Sequence, residues 1–367
     1  MTAATPTKPI EIGLVQAFGG TPKHGPAYVR DFSQAAEALG FHSIWAPEHI
    51  VFFEEYDSVY PYPPEPGSAE RPRLPVGRQA GLYDPMMTCQ AVAMHTTTLR
   101  VGTAVALLPL RHPALWAREI NTVDHFSGGR LDFGIGLGWL EEEFRALNVP
   151  FHERGRITDE YLGALHALWT QDESTFHGSY VNFDKALSFP KPVQSPGPPI
   201  YIGGESKAAL RRVARFGDGW YGWNMTPAQF AQGLIGLDDA LAENSFIDGR
   251  TRTRADVFLQ VGLRFPGPLD ELATMVEAYT ALGAQRVVAG LVVPSGQFET
   301  RLGEIADALG ITPAVRRHEH RHERIPSGGD RSRQDLDRRA EVRLPGERLV
   351  ERGDFRLDAA RPRRRPS

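Results

Sequence analysis

At 367 residues, 41% of them hydrophobic, and a formal net charge of −4, the chain holds enough apolar material for one large core or two average ones. It lacks the global basic field that draws nucleic acid. Cys89 is the only cysteine, which excludes an intrachain disulfide and any multi-thiolate zinc or iron–sulfur centre and suits a reducing compartment.

Met1 to Pro9 is polar and proline-bearing, without the basic-then-apolar order of a signal peptide. No apolar run approaches the roughly 20 residues of a membrane helix. The expectation is a soluble, cytoplasmic protein with a small-molecule substrate, no nucleic acid and no membrane partner; a homodimer is left open.

Short β-type runs then alternate with longer amphipathic ones. Strand patterns fall at Ile10–Val15, Ser43–Ala46, Arg100–Leu107, Leu131–Ile135, Ile200–Ile202, Gly219–Gly222, Val257–Leu263 and Arg286–Ala289. Between them, helical patterns fall at Ala27–Leu39, Pro85–Thr96, Ala114–Phe126, Thr158–Trp169, Lys207–Phe216, Pro227–Glu243 and Leu269–Leu282, with a last helix at Glu299–Leu309. Eight βα units predict an α/β fold, a closed (β/α)8 TIM barrel of about 250 residues with insertion loops. The rival, an open doubly wound sheet, would carry Gly-x-Gly-x-x-Gly after the first strand. The sequence there is Gln16-Ala17-Phe18-Gly19-Gly20-Thr21-Pro22, which does not match.

Two segments interrupt the rhythm. Tyr56–Pro85 is rich in Pro, Tyr and Arg and follows the second strand, so it is expected to overhang the catalytic face as a lid. Tyr180–Pro199 carries five prolines and is expected to run extended along a barrel edge. Residues 1–312 are thus assigned to the barrel. Residues 313–367 are crowded with Arg, Asp and Glu, contain no lysine and are expected to form a disordered, Arg-rich tail, a compositional break that suggests a read-through or frameshifted terminus.

Chemistry concentrates at the predicted strand ends. Glu48 and His49 close the second strand, where side chains of a barrel reach its active-site mouth. A carboxylate beside an imidazole suits proton movement. Gly203-Gly204-Glu205-Ser206 opens a helix, a place for an anion such as a phosphate, with Ser206 as N-cap and Glu205 turned to solvent. Glu141, Glu142 and Glu143 read as favouring a helix dipole, and Arg111 as a surface arginine.

Two stretches carry a family resemblance: Ser127-Gly128-Gly129-Arg130-Leu131-Asp132-Phe133-Gly134-Ile135-Gly136-Leu137-Gly138-Trp139, and Pro199-Ile200-Tyr201-Ile202-Gly203-Gly204-Glu205-Ser206. With Gly217-Asp218-Gly219-Trp220 they make the chain, from about Ile10 to Ile311, resemble the luciferase-like monooxygenase superfamily, its coenzyme F-420-dependent branch above all. The resemblance implies that His49 is the catalytic proton donor or acceptor and that Glu48 touches the cofactor. It implies further cofactor contacts at Thr103 and Ala106, Leu137 and Gly138, and Gly203, Gly204 and Ser206, and a non-proline cis peptide at the end of the third strand. No metal is implied. Trp139 departs from the sugar-phosphate dehydrogenases of the family, which place a carboxylate there. The implied activity is hydride exchange between F-420 and a small organic substrate. The alternatives are an FMN-dependent monooxygenase using reduced flavin and oxygen, and a non-catalytic flavin- or deazaflavin-binding protein.

Overall fold

The protein, as a computed structural model, is described over residues 9–21, 23–62, 81–291 and 293–313. The expected tail from 314 onward, most of the expected lid (63–80) and its Arg71, Arg73 and Arg78 lie outside the described residues.

In chain order the elements are β1 (Glu11–Val15), α1 (Pro26–Leu39), β2 (Ser43–Ala46), α2 (Pro85–His95), β3 (Arg100–Thr103), β4 (Ala106–Leu107), α3 (Pro113–Ser127), β5 (Leu131–Gly136) and α4 (Glu141–Ala146). Then come α5 (Arg154–Thr170), β6 (Ser174–His177), β7 (Asn182–Ala186), β8 (Ile200–Gly203), α6 (Lys207–Phe216), β9 (Gly219–Trp223), α7 (Pro227–Glu243), β10 (Phe258–Arg264), α8 (Leu269–Ala281), β11 (Arg286–Gly290) and α9 (Phe298–Ala308). All barrel pairings are parallel. The order β3-β2-β1-β11-β10-β9-β8-β5 is closed by β3 on β5, the expected eight-stranded barrel.

The third barrel strand is not continuous. Its halves, β3 and β4, are separated by a cis peptide between Ala104 and Val105, at the position the family resemblance implied. β3 pairs with β2 and β5, whereas β4 pairs only with β5, so the chain leaves β2 as it approaches the mouth. The proline-rich segment also differs from expectation. Its start, β7, folds back on β6 as an antiparallel hairpin, because the Glu160 carboxylate accepts the N–H groups of Ser179, Tyr180 and Val181 at 2.6–2.7 Å and closes the turn.

Period-two alternation divides each strand between two cores. On β5, Leu131, Phe133 and Ile135 pack outward against the helices, and Asp132, Gly134 and Gly136 face the barrel interior. That interior is filled by Trp45, Tyr201, Tyr221 and Val288, and large rings in a small barrel demand small neighbours. A Cβ on Gly102 would sit 2.5 Å from the Trp45 ring, and one on Gly136 would sit 2.4 Å from a Val105 methyl. The glycine-spaced exit of β5 is therefore occupied by the neighbouring strand's own atoms.

The Ser-Gly-Gly-Arg motif works at the opposite end of the barrel. Gly128 and Gly129 take the left-handed conformation at φ 65° and 81°, which costs a glycine little. The turn delivers the Arg130 guanidinium to the carbonyls of Ala93, Thr96, Leu99 and Ser127. One side chain thus ties the end of α2, the loop after it and the end of α3 beneath the sheet. Its role is architectural.

Candidate functional site

Glu48 and His49 leave β2 side by side and go to different partners. Glu48 is buried; its Oε2 accepts the Leu107 N–H at 2.5 Å and its Oε1 the Arg111 Nη2–H at 2.9 Å. Arg111 also binds Asp84 at 2.9 Å and Glu119 at 2.8 Å and lies over the Trp116 ring. It is a half-buried hub of three carboxylates, correcting the surface reading. Burial pushes the Glu48 carboxyl up to about 7, against the downward pull of Arg111 and the Leu107 N–H.

His49 turns toward α4. Its Nδ1 lies 3.1 Å from Oε2 of Glu143, a fully buried carboxylate whose Oε1 accepts the N–H groups of Ile50 at 2.5 Å and Val51 at 3.2 Å. Glu142 accepts the N–H groups of Asp57 and Ser58 and the Ser58 hydroxyl. Glu141, at the helix start, gives its own N–H to Ser58 Oγ. The three glutamates expected to serve a helix dipole thus belong to a clamp on residues 49–58. Three consecutive acids were visible in the sequence, but their partners lie more than 80 residues away and no local signal names them.

The clamped segment crosses the mouth. β9 lies four places from β2 in either direction around the barrel. The Tyr60 side chain nevertheless comes within interaction range of Trp223, the last residue of β9. On the way, Phe52 and Trp139 flank His49 with ring centres 5.1 and 5.7 Å away, and Tyr56 and Tyr60 meet Trp139 edge-on at 5.7 and 5.1 Å. The imidazole therefore sits in an aromatic wall. Trp139, marked in the sequence only as a departure, is the centre of that wall.

The remaining expected residues are distributed around the same end. Thr103 is buried and donates its hydroxyl to the Gly134 carbonyl at 2.6 Å. Ala106 is buried within β4. Leu137 and Gly138 follow β5, Gly138 at φ 85° with the Phe144 ring where a Cβ would go. Gly203 ends β8, and the Gly204 carbonyl accepts the Trp220 indole N–H at 2.8 Å. Glu205 is exposed, as expected. Ser206 is the N-cap of α6, its Oγ accepting the Ala209 N–H at 3.2 Å; the first helical N–H groups, of Lys207 and Ala208, have no acceptor within the helix. An apolar groove lined by Pro26, Val29, Tyr83 and Met87 includes neither Glu48 nor His49 in its lining. Among the described residues no cluster of metal-ligating side chains occurs and no helix is long and apolar enough to cross a membrane.

Comparison with known proteins gives the family. An FMNH(2)-dependent dimethylsulfone monooxygenase of Pseudomonas putida is 39% identical over 161 residues, 43% of this chain and 43% of that protein. The chain spans less than two thirds of the length of the curated relatives it matches. Among solved structures, a monooxygenase from Streptomyces bottropensis superposes with a TM-score of 0.64 at 19% identity, over 82% of this chain and 98% of that one. An F-420-dependent secondary alcohol dehydrogenase superposes with a TM-score of 0.65 at 14% identity, over 82% of this chain and 99% of that one. At these identities the superpositions speak for the fold alone. The family model described as luciferase-like monooxygenase matches residues 12–352, running past the Ile311 limit of the expected resemblance; the chain belongs to the luciferase-like monooxygenase family.

Proposed function

We propose that the chain is an oxidoreductase that uses reduced FMN and oxygen as a monooxygenase on a small organic substrate, with His49 as the group that moves a proton at the barrel mouth. The observation that carries this reading is the seat of His49: an imidazole held by a buried carboxylate inside a wall of Phe52, Tyr56, Tyr60 and Trp139. An aromatic enclosure excludes water, which oxygen chemistry on a reduced cofactor requires if electrons are not to be lost to side reactions. The 39% identity to an FMNH(2)-dependent enzyme supports the flavin over the deazaflavin.

The donor set fits a phosphorylated flavin. The free N–H groups at the start of α6, opened by Gly203 and Gly204 and capped by Ser206, offer an anion site for the phosphate. The small, half-buried Ala104, beside the cis peptide, leaves room for a planar ring to approach. When bound, reduced FMN supplies the electrons that activate oxygen. Glu48 fixes the mouth end of β4 through the Leu107 N–H, and the 49–62 segment shields His49 from solvent.

A second reading, hydride exchange with F-420, keeps the support of the Glu48–His49 pair. Spectral titration separates the two. The flavin reading expects reduced FMN to bind and substrate-dependent oxygen uptake to follow. Binding of F-420 without binding of FMN overturns it in favour of hydride transfer.

A further inference from the structure

We propose that Glu143 is a positioning residue for His49, holding the imidazole with its proton on Nδ1 and so leaving Nε2 as the nitrogen that accepts a proton. The inference rests on the reading of His49 as the proton-transfer group and adds to it the residue that sets the tautomer.

The argument starts from what each carboxylate oxygen faces. Oε1 of Glu143 receives two backbone N–H donors, from Ile50 and Val51. Oε2 faces Nδ1 of His49 at 3.1 Å, within hydrogen-bond range. An ionised carboxylate only accepts, so the hydrogen atom between them belongs to Nδ1. In a neutral imidazole the other nitrogen then carries the lone pair. Among the described residues Nε2 makes no hydrogen bond, and the ring is 12% exposed. Glu143 is wholly buried in α4, so its carboxylate has no room to swing away. Phe52 and Trp139 bracket the ring from other sides. Because Oε1 pins the backbone just after His49, seating the mouth-crossing segment and orienting the imidazole are a single event.

The test is Glu143→Gln. The glutamine oxygen must keep facing the Ile50 and Val51 N–H groups, since its amide nitrogen there would oppose two donors. Its NH2 then faces Nδ1, which must become an acceptor, and the imidazole proton moves to Nε2. Histidine-selective 15N NMR of the full chain reads the tautomer without any cofactor, with His49→Ala identifying the signal. The expected result is the Nδ1–H tautomer in the wild type and the Nε2–H tautomer in Glu143→Gln. Turnover should fall about 10²-fold, the lower range for a positioned acid–base group, with cofactor affinity kept within a few fold. An Nε2–H tautomer in the wild type overturns the proposal, as does an unchanged tautomer in the variant. So does a loss of turnover matched by an equal loss of cofactor affinity, which marks a merely structural carboxylate. Should the variant not fold, the wild-type tautomer decides alone. Unchanged turnover in His49→Ala instead strikes the underlying reading, which the tautomer measurement does not touch.

Discussion

The two ends of this barrel are both rich in ionisable groups, and they use them oppositely. At the floor, where the strands begin, Arg286 binds Glu11 at 2.8 Å and Asp132 at 3.0 Å, while Arg100 binds Asp132 at 2.5 Å. Two cations meet two carboxylates. Arg286 also lies within 4.8–5.5 Å of the Phe258, Tyr201 and Trp45 rings, and burial next to that guanidinium pushes His42 down to about 4. Each of these charges has an opposite partner.

At the mouth the balance fails. Among the described residues, Arg111 is the one cation paired with Glu48, Asp84 and Glu119, and Glu143 is paired only with His49 and backbone amides. Burial moves Glu48 up to about 7, with smaller upward pushes from Asp84 and Glu143 against the pull of Arg111. Buried charge by itself does not mark a reactive site. Buried charge left partly unmatched, at the end of a barrel where loops converge, does.

The largest expected effect lies on the floor. Removing one partner of a buried ion pair strands the other, so Arg286→Ala should lose about 3–5 kcal/mol of stability, read by denaturant unfolding, with activity per folded molecule retained. A loss below 1 kcal/mol, on the scale of exposed pairs, would show that water repairs the floor and blunt the contrast.

Next comes a pH dependence at the mouth. A carboxyl raised from 4.5 to about 7 on folding binds its proton more tightly in the folded state. Its contribution is therefore fully present below pH 4.5 and lost as pH rises through 7. At roughly 1.4 kcal/mol per unit the change is at most about 3 kcal/mol. Glu48→Gln should remove it, so the stability difference between wild type and variant should change between pH 4.5 and 7. A difference constant across that range contradicts a protonated Glu48. The smallest effect is Ser206→Ala, which should cost about 1 kcal/mol through loss of the N-cap and weaken phosphate-bearing cofactor binding without touching the floor; unchanged binding would remove the start of α6 from the cofactor site.

Much of this was legible in the sequence because it is local. Strand periodicity and the Ser206 cap both act within a few residues, and each lies where it was read. The floor was invisible, since Glu11, Arg100, Asp132 and Arg286 sit on four strands and meet only when the barrel closes. The Ser-Gly-Gly-Arg motif was legible as a family mark but not as a knot of carbonyls, because its partners come from α2 and the loop beyond it. The clamp by Glu142 and Glu143 was misread for the same reason: three acids at a helix start look alike until the 49–62 segment is laid across them. The break between β3 and β4 was foreshadowed only by resemblance, as periodicity runs through it unchanged.

The central claim is that the mouth, through His49, carries the chemistry and the floor carries the fold. Its most direct test is His49→Ala, followed by substrate-dependent oxygen uptake with reduced FMN, by cofactor titration and by thermal unfolding of the same preparation. The prediction is a loss of turnover of about 10²-fold or more, with cofactor affinity within a few fold and an unfolding midpoint close to wild type. Unchanged turnover, or a loss accounted for entirely by weaker cofactor binding, would contradict it.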